Sequence, residues 1–198
     1  LFVMAEENTK KEIQISELDP RFARQIENAE KSLAKTPEYA IDICNTVLGK
    51  YPNCVEVRKI LRQAQYRKYG KGSPIAKIVG GVKASLLTVK ASGLIKKGGG
   101  ESVLPMAEKL LSECPDNPTA AKILISAAEA LGYLGVASTA YEAIVHYAPT
   151  EANMIALANS YIKSAKPDEA MQVCETILAK NRANGEAQAI ARAASVMK

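Results

Sequence analysis

"EANMIALANSYIKSAKPDEAMQVCETILAKNR", residues 151–182, contains two amphipathic segments joined by a short polar turn. In both segments apolar or small residues recur at intervals of three and four, which is typical of an α-helix with one buried face. Pro167 stands where the second helix would begin, a position at which its missing N–H costs nothing and its fixed φ suits the first turn. The stretch therefore predicts a helix–turn–helix hairpin.

The same pattern recurs along the chain at a fixed interval. The second-helix positions Ala170, Cys174 and Ile177 match Ala137, Tyr141 and Ile144 at 33 residues' distance, and Leu157 matches Leu124. Two further copies of the second helix end in proline, one with Ala40, Cys44, Val47 and Pro52, the other with Val103, Ala107, Leu110 and Pro115. Small residues where two helices cross, followed by a helix breaker, are what stacked hairpins require. The sequence therefore predicts an internal helical repeat.

The unit 151–182 resembles the tetratricopeptide repeat (TPR), a 34-residue helix–turn–helix with the pattern W-x2-L-G-x2-Y…A-x3-F…P. The matching positions hold Met154, Leu157, Ala158, Tyr161, Ala170, Cys174 and Arg182. The Trp is absent, and Ala158 replaces the glycine of the first helix. The resemblance implies an all-α fold, with antiparallel helix hairpins stacked as a right-handed α-solenoid.

Proline and N-cap residues predict where the helices begin. Ten helices are expected, over 20–35, 37–49, 54–69, 74–97, 101–114, 118–132, 135–148, 151–164, 167–181 and 185–197. Asn53 and Glu56 are expected to form a variant capping box. Grouping the helices by repeat register predicts four regions: an N-terminal tail (1–19), an N-terminal TPR-like block (20–69), a glycine joint (70–73), and a C-terminal TPR-like block (74–198) with a capping helix over 185–197.

The charge of the chain is concentrated in its middle. Residues 58–97 contain eleven cationic side chains and no acidic one, whereas the segments before and after each sum to −3, for a net charge of +5. The eleven are Arg58, Lys59, Arg62, Arg67, Lys68, Lys71, Lys77, Lys83, Lys90, Lys96 and Lys97. Such a band attracts anionic lipid, an acidic protein or nucleic acid at long range. Nucleic acid is disfavoured, because only Tyr66 and Tyr69 offer stacking surfaces there.

The helix predicted over 74–97 has two packable sides. One side carries the apolar stripe Ile75, Ile78, Val79, Val82, Leu86 and Val89, and the opposite side carries mostly small residues: Gly80, Gly81, Ala84, Thr88, Ala91 and Ser92. We expect the apolar stripe to face the core, with lysine stems lying over apolar surface and their heads in water. This makes the segment an inner helix of the solenoid, in preference to a membrane-binding surface.

Composition argues against several other classes of protein. The longest uncharged run covers twelve residues, 130–141, too short to span a bilayer, and the first residues lack the pattern of a secretory signal. Cys44, Cys54, Cys114 and Cys174 fall in apolar helical patterns, which indicates buried thiols in a reducing, cytoplasmic environment. His146 is the sole histidine, and phosphate-binding and metalloprotease motifs are absent. The sequence predicts a protein that is not an enzyme, without a metal or a cofactor.

The resemblance implies a scaffold that binds a partner segment in the concave groove formed by the first helix of each pair. Carried over by register, the groove residues are Lys122, Ser126, Ile155, Asn159, Lys163, Gln188 and Arg192. Hydrogen-bond donors around an apolar patch favour a protein or peptide with a carboxylate or acidic side chains. They do not reproduce the complete carboxylate clamp of the chaperone-binding members. The alternative function is a tethering or assembly module that uses the basic segment 58–97, with peripheral contact to a membrane left open.

Overall fold

The computed structural model describes residues 11–70 and 74–198, with side chains for 11–70 and 80–198. Leu1 to Lys10, the joint residues 71–73 and the side chains of Lys71 and Lys77 lie outside the described part. In the described part the chain forms a 3-10 turn, Ile15–Glu17, and the α-helices α1 Pro20–Ser32, α2 Pro37–Lys50, α3 Val55–Tyr69, α4 Pro74–Lys96, α5 Gly100–Glu113, α6 Pro118–Ala130, α7 Leu134–Tyr147, α8 Glu151–Lys163, α9 Pro167–Lys180 and α10 Gly185–Met197. The predicted all-α class and the order of the ten helices are confirmed, and none of these helices is long and apolar enough to cross a membrane.

The starts of α6, α8 and α10 repeat at the period found in the sequence. Asn117, Thr150 and Asn184 are the N-caps of α6, α8 and α10, 33 and 34 residues apart. Each side chain accepts a hydrogen bond from the backbone N–H three residues later, at 2.9 to 3.2 Å. This satisfies one of the amides that every helix leaves unpaired at its start.

Neighbouring helices pack in a consecutive series. From α4 onward each helix packs against the next, and α4 also contacts α6, as α8 contacts α10. The repeated positions Ala170, Cys174 and Ile177 are all at most 1% exposed, as are Ala137 and Leu124. The sequence register therefore identified these five residues as buried positions.

Two of the N-terminal helices, α2 and α3, pack against later helices of the chain. Besides their contacts with one another, α2 packs against α5 and α3 packs against α7. Their apolar side chains form a separate cluster that extends from Ile13 to Tyr69. The N-terminal helices therefore lie against helices that are second members of the predicted hairpins.

Residues 11–19 also pack, although the sequence predicted a tail. The amide of Ile13 donates to the Asn53 carbonyl at 3.2 Å, and the amide of Ile15 donates to Glu56 Oε2 at 2.6 Å. The Asn53 side chain donates to the Lys11 carbonyl at 2.7 Å. Asn53 and Glu56 thus fasten this segment and do not form the predicted capping box, because the N-cap of α3 is Cys54.

A second contact ties this segment to α7. Glu12 Oε1 accepts a hydrogen bond of 2.7 Å from the amide of Val136, in the first turn of α7, where the N-cap Tyr133 supplies no side-chain cap. A Cβ atom on Gly135 would lie 2.7 Å from the other Glu12 carboxylate oxygen, so the glycine leaves room for the carboxylate. A residue 124 positions earlier in the chain therefore caps α7.

Helix α4 packs with the side opposite to the predicted one. Ala84 and Ala91 are at most 2% exposed in the core shared with α5 and α6, and Leu87 and Leu94 pack beside them. Val82, Leu86 and Val89 are 62%, 71% and 78% exposed. The prediction that this stripe faces the core is wrong for these three residues, because small side chains let α4 approach its neighbours more closely than a row of branched ones. The side chains of Ile75, Ile78 and Val79 lie outside the described residues.

Candidate functional site: a groove between α6 and α8

An open groove runs between α6 and α8, with α7 as its floor. Its lining over a cavity of about 360 Å³ consists of Lys122, Ile125, Ser126, Glu129, Tyr141, Ile144, Asn153 and Ala156. The floor is apolar and aromatic, while the charged and hydroxyl groups stand on the α6 side. A groove of this kind can hold an extended chain, with apolar side chains on the floor and polar groups at the rim.

The groove opens at one end into a larger depression of about 750 Å³. The two spaces share Lys122, Ile144 and Asn153, and the larger one extends to Gly70 at the end of α3. His146 and Tyr147 form part of its wall. The His146 ring is stacked on Tyr66 of α3 with centroids 3.8 Å apart, so an aromatic contact between α3 and α7 borders the depression.

Charges alternate along this surface. Lys122 stands between Asp116, which lines the depression, and Glu129, which lines the groove. Lys163 Nζ lies 3.2 Å from Glu129 Oε1, in a pair that is largely open to solvent and therefore weak. Burial and the negative charge of Glu129 raise the pKa of Tyr141, and the Lys163 ammonium partly offsets that effect. Lys122 is exposed, and it takes part in none of the ion pairs between residues that the structure describes.

The predicted groove residues separate into three groups. Lys122 and Ser126 line the groove, and Lys163 reaches its rim through Glu129. Ile155 is only 8% exposed and belongs to the core between α8, α9 and α10, so it offers no apolar patch to a ligand. Asn159 is exposed on α8, and Gln188 and Arg192 are exposed on α10, outside the lining of this groove.

Sequence reasoning missed most of the floor. Tyr141 and Ile144 were assigned only to helix packing, yet both are partly exposed and line the groove. Nothing in the sequence marked Glu129 or Asn153 as a groove residue. An acidic residue late in a helix is ordinarily solvated, and an amide in the first turn ordinarily has a capping role. The distance between α6 and α8 decides which side chains of α7 are open to a ligand. That distance depends on tertiary packing, which the sequence pattern of a single helix does not specify.

The predicted basic segment is divided by the fold. Arg58 and Arg62 of α3 are 1% and 3% exposed and pair with Glu108 of α5, so they are unavailable to a surface ligand. The remaining described cations of the segment are exposed: Lys59, Arg67, Lys68, Lys83, Lys90, Lys96 and Lys97. This burial could not be predicted from the sequence, because arginine side chains on an amphipathic helix normally place their charged heads in water.

The arginine pair forms an internal network with Glu108. Arg58 Nε donates to Glu108 Oε1 at 2.6 Å, and Arg62 Nη2 donates to the same oxygen at 2.8 Å. Arg62 Nη1 donates to Gln65 Oε1 at 2.8 Å, and Arg58 Nη1 donates to the Pro52 carbonyl. Burial disfavours the Glu108 carboxylate, but the attraction of Arg62 and Arg58 outweighs burial, and the pKa of Glu108 falls below its ordinary value. The network joins α3 to α5 in the ionised state.

The four cysteines are buried, as predicted. Burial raises the pKa of Cys44 to about 12, with smaller contributions from the negative charges of Glu30 and Glu108. Burial also raises the pKa of Cys54 and Cys174. These thiols lack the thiolate character that nucleophilic cysteines need. Among the described residues no group of three His, Cys, Asp or Glu side chains could hold a metal ion.

Comparison with known proteins found no match to any family model, curated protein or solved structure.

Proposed function

We propose that this chain is a non-enzymatic scaffold of the TPR type that binds an extended segment of a partner protein in the groove between α6 and α8. The observation that carries the proposal is the groove itself: an open cavity with an apolar floor and an exposed lysine at its rim. In stacked helical hairpins such grooves are a usual place of peptide binding. The periodic N-caps and buried repeat positions support the TPR-like arrangement.

The sequence predicted a ligand with a carboxylate or acidic side chains, and the charges of the groove indicate how many acidic side chains it can hold. An acidic side chain would pair with Lys122, whereas a further acidic side chain along α6 would meet Glu129. Apolar side chains would occupy the floor over Tyr141 and Ile144. We therefore expect a segment with one acidic residue flanked by apolar or neutral ones.

A positional-scanning library of fluorescent, N-acetylated octapeptides tests this proposal with the intact chain. We expect enrichment of Asp or Glu at one position and of aliphatic residues next to it. Lys122→Glu should weaken the selected peptides at least tenfold, because an attractive charge becomes a repulsive one at the groove. Ser126→Met should weaken them similarly, because a long neutral side chain would fill the cavity from an exposed position without adding positive charge.

Matched controls are available on α9, which does not line the groove. Lys180→Glu and Thr176→Met make corresponding changes at exposed positions and should leave binding unchanged. Asn159→Ala with Lys163→Glu tests whether the site extends along α8. A library without binders, or binders that tolerate both groove changes, would refute the proposal.

The alternative function is tethering through the basic segment. Arg58 and Arg62 are buried, so fewer of its cations can contact a ligand. What favours it is the exposure of α4, where lysines flank an apolar stripe. That surface is distinct from the groove and supports a separate inference.

A further inference from the structure

The α4 stripe, defined by Val82, Leu86 and Val89, is a concentrated exposed apolar surface. These three are among the large hydrophobic side chains that the described part of the chain leaves exposed, and they lie within two turns of one helix. Their spacing of four and three residues places them on one face. A row of this kind on a soluble protein usually marks a contact surface.

The spacing of the α4 stripe is that of a coiled-coil seam. Residues at intervals of four and three occupy the seam positions a and d of a seven-residue repeat. In the same register Ala84 and Ala91 fall seven residues apart on the opposite side, where they are buried against α5 and α6. Helix α4 therefore packs by its small side and presents a seam to the outside.

The flanks of the seam carry positive charge. Lys83 and Lys90 each follow a seam residue and stand on the same flank, seven residues apart, while Ser85 and Ser92 occupy the other flank. Lys83 Nζ lies 2.5 Å from Glu113 Oε2 in a pair about half exposed, and Lys90 is exposed. Residues 58–97 contain no acid, so the charged side chains that α4 itself contributes are all positive, and Glu113 of α5 is paired with one of them.

We propose that the α4 stripe binds one helix of a partner protein, whose apolar seam packs on Val82, Leu86 and Val89 and whose acidic residues face Lys83 and Lys90. Flanking charges select partners in coiled coils, and here they select carboxylates. A second copy is a poorer occupant. Antiparallel pairing would place the lysine flanks against each other, and parallel pairing would match lysine only with serine. An anionic bilayer is also poorer, because the stripe contains no aromatic side chain of the kind found at membrane interfaces.

A designed helix can probe this surface in the intact protein. The probe is a 21-residue peptide with leucine at the seam positions and glutamate on both flanks, which remains monomeric at pH 7 because its flanks repel. The comparison peptide has lysine in place of glutamate. Fluorescence anisotropy should show the glutamate peptide binding at least tenfold more tightly, with an affinity that falls as salt rises.

Variants connect the binding to the stripe. Leu86→Gln with Val89→Gln should weaken the glutamate peptide at least tenfold, and these exposed positions should tolerate the change without unfolding. Lys83→Gln with Lys90→Gln should reduce the salt dependence. Val196→Gln with Met197→Gln, also exposed and apolar but at the end of α10, serves as the control and should change nothing.

Several results would overturn the proposal. Equal binding of the two peptides, or binding that survives the change of Leu86 and Val89, would exclude an acidic helix on this surface. Sedimentation velocity that shows a dimer lost in the same variant would assign the stripe to a second copy. Co-sedimentation with vesicles of phosphatidylcholine and phosphatidylserine (3:1), lost in that variant, would assign it to lipid. None of these results bears on the groove, whose test uses other peptides and other residues.

Discussion

Replacing Glu108 by Gln should strongly destabilise the protein. The change keeps the size and shape of the side chain but leaves Arg58 and Arg62, at most 3% exposed, without their counter-charge. At a charge separation of ~4 Å and an effective dielectric constant of ~20, each arginine gains about 4 kcal/mol from the carboxylate. Burying three ions cancels much of that gain, but the arginines stay buried when Glu108 is neutralised. We therefore expect a loss of about 3–5 kcal/mol.

The measurement is urea unfolding followed by far-ultraviolet circular dichroism at pH 7. Glu113→Gln is the matched control, because Glu113 is on the same helix, is about half exposed and pairs only with Lys83 among the contacts shown. A surface pair of this kind contributes about 0–1 kcal/mol. Equal unfolding midpoints for the two variants would show that the buried network does not have the energetic role given to it here. Changing all three residues, Arg58→Met, Glu108→Leu and Arg62→Met, should recover most of the stability, because no buried charge remains.

The pH dependence provides an independent check. The pKa of Glu108 is lower in the folded state than in the unfolded chain, so its contribution is fully present above the unfolded value of about 4.3 and is lost as the pH falls through the folded value. The difference in free energy of unfolding between the parent and Glu108→Gln should be constant from pH 7 to about 5 and should shrink at lower pH. A difference that stays constant down to pH 2 would contradict the assignment.

Two further predictions concern packing and reactivity. A Cβ atom on Gly80 would lie 2.9 Å from the Cys114 sulfur, so Gly80→Ala should cost about 1–3 kcal/mol. Gly81→Ala, which meets nothing within 4 Å, should gain about 0.5–1 kcal/mol, and unfolding curves in which both variants shift the same way would refute this orientation of α4. Because burial raises the pKa of Cys44 to about 12, it should resist an aromatic disulfide reagent at pH 8 in the native protein and react on unfolding. Mass spectrometry that finds Cys44 labelled as fast as a free thiol would contradict this.

Local and periodic features of the fold could be predicted from the sequence. Proline at helix starts, N-cap side chains and the 33-residue recurrence predicted ten helices and several of their buried residues, such as Ala170 and Cys174. These signals work because caps and crossing positions depend on residues a few places apart in the chain.

The relation between distant segments could not be predicted in the same way. From the sequence, Glu108 has the pattern of a solvated acid on a helix surface. In the structure α3 places Arg58 and Arg62 beside it. The α4 stripe has the spacing of a core face, but the alternative small face packs more closely, and periodicity alone does not choose between two faces that can both pack. The floor of the groove depends on how far α8 stands from α6.

The cap that Glu12 provides for α7 has a consequence for the order of folding. Consecutive hairpins can form from contacts within a few dozen residues, but this hydrogen bond closes a loop of 124 residues. The entropy lost on closing a loop grows with its length, so the contact gains stability only after the intervening helices have assembled. During synthesis Glu12 is translated well before Val136, so its carboxylate can accept this hydrogen bond only after the start of α7 has been made. The Glu12 cap on α7 should therefore be among the last contacts to form, whereas the hydrogen bonds of the same segment to Asn53 and Glu56 close much shorter loops and can form earlier.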